Sequence, residues 1–221
     1  GGFLIIIIYA ILLAVADRFI IGSSGRDFER AAVYVVPMLL IGALNFVPWI
    51  GTAIVYGADN TRFLTLLAAI DLVLSLGLNY LLVDRFQVYA LIYTPLVVTL
   101  VNAALVYAIN HRHSFPQRLY VWQTFAASAL AGAVHFVWLR WVTGFIWQGD
   151  EITSLLILLI ALIASYPVYA FLYSVFGGWD DRTLDEFGRG TNLASFMRPM
   201  ARLFYQASRL GARISPLHGR F

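Results

Sequence analysis

The chain has 221 residues, of which 61% are hydrophobic and only 12% charged, and its mean hydropathy is +0.78. An ordinary soluble domain carries about 25% charged residues, so a soluble fold of this composition could not cover its own surface, and the apolar excess must face lipid. Cysteine and lysine are both absent, which excludes disulfides, thiolate metal sites, Cys nucleophiles, Schiff bases and a P-loop lysine. The net charge of +3 rests on arginines spaced as a membrane protein spaces them, so no nucleic-acid partner is expected.

A hydrocarbon core about 30 Å thick takes roughly 20 helical residues. Six stretches meet that length: Gly2–Ile21, Ala31–Tyr56, Phe63–Val83, Val88–Ile109, Tyr120–Ile146 and Ile152–Phe176. Runs such as Ile5–Ile8 and Leu155–Ile163 lack the alternation of a membrane β-barrel. The expected fold is therefore all-α, a polytopic membrane bundle of about six helices over 1–176, followed by an amphipathic tail over 177–221. Placing the C-terminus inside puts ten arginines in inner segments (Arg62, Arg112, Arg118 and seven from Arg182 to Arg220), against Arg26, Arg30 and Arg85 outside. That bias predicts a multi-pass cell-membrane protein with a cytoplasmic C-terminus. Trp138, Trp141 and Trp147 near one set of ends, and Tyr120, Trp122 and Trp179 near the other, suit interfacial belts.

Polar groups inside the spans carry the functional information, because hydrocarbon offers them no partner. The third span holds Asp71, Ser75 and Asn79 at four-residue spacing, one polar stripe that either lines a hydrated cavity or bonds to a neighbouring helix. Asn45 and Asn102 add polar groups to the second and fourth spans. Asp17 and Arg18 end the first span, where snorkelling to the interface is the cheaper reading and a substrate role the other. In the fifth span, Ser128, Gly132 and His135 share a face whose small residues predict close packing. Arg140 could meet a phosphate or anchor at the interface among the tryptophans. Pro37, Pro48, Pro95 and Pro167 fall inside spans and can kink them. In the tail, Pro199 can open a helix with Met200, Leu203, Phe204, Ala207 and Leu210 on one face. Arg198, Arg202, Gln206, Arg209 and Arg213 take the other, a pattern that lies on an anionic leaflet or docks on its own protein.

The segment Asn79-Tyr80-Leu81-Leu82-Val83-Asp84-Arg85-Phe86-Gln87-Val88-Tyr89-Ala90-Leu91-Ile92-Tyr93-Thr94 resembles the helix–short loop–helix signature of polysaccharide-biosynthesis flippases in the MATE-like (MOP) superfamily. There the pattern reads roughly N-L-L-L-I-P-x-Y-G-V-x-G-A-A-x-A-T. Gln87 and Ala90 stand where it has glycine. The turn Gly57-Ala58-Asp59-Asn60-Thr61-Arg62, the pair of helices around Phe19–Leu40, and the tail from Trp179-Asp180-Asp181 to Pro216-Leu217-His218-Gly219-Arg220 are similar to family features, the tail to its haloarchaeal members.

The resemblance implies alternating-access export of a lipid-linked oligosaccharide or polysaccharide precursor. It further implies that this chain is the C-terminal bundle, with an N-terminal helical bundle of the same protein as its partner beside membrane lipid and the glycan substrate. Asp71, Asn79, Asn102 and Arg140 are the candidate substrate-binding residues. No catalytic residue, cofactor or metal is expected. An intramembrane enzyme on lipid-linked phosphate or sugar is the alternative, but Asp17, Asp71, His111, His113 and His135 are scattered over helices and sides. A small homodimeric transporter and a membrane scaffold remain open as well.

Overall fold

The computed structural model describes residues 2–57, 61–113, 121–191 and 198–220, and every regular element among them is helical. In chain order the α-helices are α1 (Gly2–Ser24), α2 (Ala32–Leu44), α3 (Phe46–Gly57), α4 (Thr61–Phe86), α5 (Ala90–His113), α6 (Ala127–Ile146), α7 (Glu151–Val175), α8 (Asp181–Gly190) and α9 (Arg198–Ile214), with a 3-10 helix, Arg26–Ala31, between α1 and α2. Residues 58–60, in the turn that the family resemblance uses, lie outside the described residues, as do Arg118 and Tyr120. Four stretches among the described residues are long and apolar enough to cross a membrane: Ile5–Ser24, Thr61–Arg112, Trp122–Ile146 and Glu151–Val175. The second of these holds both α4 and α5.

The predicted second span, Ala31–Tyr56, is not one helix. It breaks at Asn45 into α2 and α3, of 13 and 12 residues. Pro48 explains the position: it has no N–H for the Leu44 carbonyl, and its ring crowds that same group. The ladder resumes at once, with Trp49 N–H bonded to Asn45 O at 3.2 Å and Thr52 Oγ1 closing back on Pro48 O at 2.7 Å. Pro37, Pro95 and Pro167, by contrast, lie inside continuous helices.

The chain forms two compact units, 1–32 with 119–221, and 33–118. In the first, Ile7, Ile11, Ala14 and Val15 of α1 meet Ala131 and Leu139 of α6 and Ile157, Ala161 and Tyr169 of α7 in one buried core. Small residues bring the helices close: a Cβ on Gly132 would meet Ile6 Cγ2 at 3.2 Å, and one on Gly22 would meet Ser154 Cβ at 3.1 Å. A π-helical turn over Trp122–Ala126 precedes α6. Tyr173 Oη donates to Gln123 O at 3.0 Å, and Trp122 Nε1 donates to Phe176 O at 2.8 Å, which ties that turn to the end of α7. α7 ends in a Schellman motif, with Gly177 at φ 72°, its N–H on Ser174 O, and Gly178 N–H on Tyr173 O.

Beyond it, residues 177–191 and 198–220 pack back on α7. Ser215 Oγ donates to Val175 O at 2.7 Å, and His218 Nε2 lies 2.8 Å from Asp181 Oδ1. An aromatic series runs from Tyr173 through Trp179 and Phe187 to Phe204, at centroid spacings of 5.4, 5.7 and 5.2 Å.

In the second unit, α4 and α5 form an antiparallel hairpin joined by a 3-10 turn, Gln87–Tyr89. Its first residue, Gln87, has φ 48°, the left-handed region that favours glycine. Val55, Phe63 and Val106 form a small core, and the Asn110 amide donates to Gly51 O at 2.9 Å across α5 and α3.

Candidate functional site

The polar stripe of α4 faces α5. Asn102 Nδ2 donates to Asp71 Oδ1 at 2.9 Å, and Thr94 Oγ1 donates to Asn79 Oδ1 at 3.1 Å. Asn79 follows Asp71 by eight residues, and Thr94 precedes Asn102 by eight, so these are two rungs of one antiparallel register. A third bond, from Thr99 Oγ1 to Asn45 Oδ1 at 2.7 Å, holds the α2–α3 break to α5. Three of the four sequence candidates, Asp71, Asn79 and Asn102, thus serve bonds between helices of the second unit. Asp71 has a neutral partner, and Asn102 Oδ1 is buried without one.

The fourth candidate belongs to a charged cluster in the first unit. Arg140 Nη1 lies 2.7 Å from Asp17 Oδ1 and also donates to Ala14 O at 3.2 Å, joining α6 to α1. Arg18, next to Asp17, is turned inward and only 3% exposed. One of its Nη atoms donates to Thr143 Oγ1, its guanidinium sits 5.2 Å from the Trp147 ring centroid, and its Nε has no partner. Thr143 is fixed in turn by its bond to Leu139 O at 2.7 Å. Asp17 is engaged by Arg140, so Arg18 has no carboxylate partner. Two guanidiniums and one carboxylate leave the cluster one positive charge in excess, in a medium where each charge is costly.

This grouping is not legible from local spacing, because Asp17 and Arg18 point about 100° apart on their helix. The signal is in the span count: the first and fifth expected spans run in the same direction, so Arg18 and Arg140, each near a C-terminal end, fall at the same end of the bundle. An open cavity of about 530 Å³, lined by Gly25, Arg26, Asp27, Asp150, Glu151 and Ile152, lies at that end of the unit. The Arg26 guanidinium reaches across it to Gly149 O.

His135 lies two turns before Thr143 on the buried face of α6, with Trp138 at 5.8 Å and Tyr169 edge-on at 6.0 Å. Both its ring nitrogens are buried without partners. Among the described residues, no three His, Cys, Asp or Glu side chains gather as a metal site would need.

Comparison with family profiles, curated proteins and solved structures gives no match for the chain.

Proposed function

We propose that this chain belongs to a multi-pass membrane transporter that moves a lipid-linked oligosaccharide or polysaccharide precursor across the cell membrane. The lipid tail stays in the bilayer, and the phosphate or pyrophosphate joining it to the sugar is the anion that Arg18 and Arg140 receive. The observation that carries this reading is Arg18, a buried guanidinium with a free Nε and no carboxylate of its own. A phosphate oxygen satisfies the donor and cancels the excess charge together, in the geometry for which guanidinium is suited. Asp71, Asn79 and Asn102 are then assigned to holding α4, α5 and the α2–α3 break together.

In this reading six crossings place both termini in the cytoplasm, with α2 and α3 forming one broken crossing. The similarity of 79–94 to the MOP flippase signature supports the same substrate class and alternating access between two bundles.

The test is transport of a fluorescent polyprenyl-pyrophosphate sugar in proteoliposomes. Losing a charge-assisted bond to phosphate costs about 1.5–3 kcal/mol, so Arg18→Gln should slow transport about 10- to 100-fold, with Arg18→Lys in between. A folded Arg18→Gln protein that transports at the wild-type rate removes this site from the mechanism.

A further inference from the structure

At 100° per residue, the side chains of α9 divide into three sectors about 120° apart. The first is the docked one: Ser208, Gly211 and Ala212 are buried, and Phe204 and Tyr205 pack on Phe187 of α8. Gly211 lies so close to Phe171 O that an added Cβ would also meet Ser174 Cβ at 2.8 Å. The second sector holds Met200, Leu203, Leu210 and Ile214, which stay 45, 52, 56 and 60% exposed. The third holds Arg198, Arg202, Arg209 and Arg213, and α9 contains no acidic residue.

The helix therefore docks through its small residues and two aromatic ones, and keeps its aliphatic stripe outward, along one border of its arginines. Ser215, just past α9, is bonded to Val175 at the end of α7, which fixes that end of α9 where α7 leaves the hydrocarbon. At that depth acyl chains and lipid phosphates lie side by side, as the two exposed sectors do.

We propose that α9 is an interfacial anchor. Met200, Leu203, Leu210 and Ile214 insert into the acyl region of an anionic leaflet, and Arg202, Arg209 and Arg213 bind the phosphates of its lipids. The proposal rests on α7 crossing the membrane and is independent of what is transported.

The absence of cysteine permits single spin labels on the full chain in nanodiscs of phosphatidylcholine with phosphatidylglycerol. Labels at Leu203→Cys and Leu210→Cys should collide with oxygen several-fold more than one at Gln206→Cys, which should favour a water-soluble nickel chelate. Omitting phosphatidylglycerol, or combining Arg202→Gln, Arg209→Gln and Arg213→Gln, should move the 203 and 210 labels toward water.

Labels at 203 and 210 that meet nickel as freely as the one at 206, or that neither reagent reaches, overturn the anchor. So does a depth indifferent to phosphatidylglycerol and to the arginines. A label at Ile163→Cys, on an exposed residue well inside α7, separates the two readings: in water it overturns the membrane crossing itself, and in lipid it leaves that crossing standing whatever α9 does.

Discussion

Burying a guanidinium costs several kcal/mol unless an ion pair and full hydrogen bonding offset it; Arg18 makes no ion pair among the described residues, and Asp17, its neighbour, is bonded to Arg140, which leaves it Thr143 and the Trp147 face. On the proposed role Arg18 serves transport at a cost in stability, which predicts opposite signs for its effects on the two. Arg18→Leu should unfold at an equal or higher temperature than the parent, because well-packed apolar replacements of buried charges are often stabilising by about 1–4 kcal/mol, while transport falls. Arg140→Gln should behave differently. It leaves the Asp17 carboxylate half-buried without its 2.7 Å partner, a loss of about 1–3 kcal/mol, and Asp17→Asn in the same chain should recover most of it. Thermal unfolding in detergent, read through tryptophan emission, separates these cases; a strongly destabilised Arg18→Leu protein would make Arg18 a packing residue.

Asp71 provides the matching contrast. Asp71→Asn still offers Asn102 an oxygen and should be nearly neutral in stability, whereas Asp71→Leu strands the Asn102 amide and should cost about 1 kcal/mol. The stripe of Asp71, Ser75 and Asn79 is readable from its spacing alone. What sequence withholds is the partner, and the partner decides between a cavity lining and a rung between helices.

Among the elements, the α4–α5 hairpin is the one most fully written in the chain. Its spans were readable at 63–83 and 88–109 from apolar length; α4 runs two or three residues past both limits, and α5 starts two residues later and ends four later than expected. The turn between them asks Gln87 for a left-handed backbone, at the position where the flippase pattern has glycine. A non-glycine residue there costs about 1 kcal/mol, so Gln87→Gly should stabilise the hairpin by about that much, less the entropy glycine adds to the unfolded chain. Unchanged or lower stability would mean that the turn holds Gln87 without strain.

The α2–α3 break was less legible, because four prolines invite a kink and only Pro48 ends a helix. α8 carries its own start signal, a capping box in which Thr183 N–H donates to Asp180 Oδ1 at 2.7 Å. The bonds from Thr183 hold the Asp180 carboxyl below its ordinary value of 3.8. A carboxylate depressed on folding stabilises above its unfolded pKa, and that contribution disappears as pH falls through the lower folded value. Protection of the α8 amides, corrected for intrinsic exchange, should therefore fall below pH 3.8 in the parent but not in Asp180→Asn, which caps without titrating. Equal acid sensitivity in both would place the titrating group elsewhere.

For the whole molecule, composition alone forces helices into lipid, but the number of crossings depends on how the two short helices α2 and α3 are counted. A contact within the first unit bears on this. Arg26, just past α1, bonds to Gly149, just before α7, and Gly22 of α1 packs on Ser154 of α7. If α1 and α7 both cross the membrane, residues 26 and 149 share one side of it, and the chain between them crosses an even number of times. If α4, α5 and α6 each cross, α2 and α3 together must contribute one crossing, since a re-entrant hairpin contributes none and would put the two residues on opposite faces. Neither helix can cross alone, because 12 or 13 residues span only about 20 Å of a core about 30 Å thick. A break inside a membrane is tolerated only where it is packed against protein, and the side-chain bond from Thr99 to Asn45 holds this one against α5. In a chain without cysteine, single substitutions report this directly. Asp27→Cys, Asp84→Cys and Asp150→Cys should react with an impermeant maleimide on intact cells, and Arg112→Cys and Asp185→Cys only after permeabilisation. If α2 and α3 returned to the side they entered, Asp84 and Asp150 would become protected and Asp185 reactive, while Asp27 kept its label. That pattern would break the pairing of Arg26 with Gly149, and with it the alignment of α1 and α6 on which the proposed Arg18–Arg140 site depends.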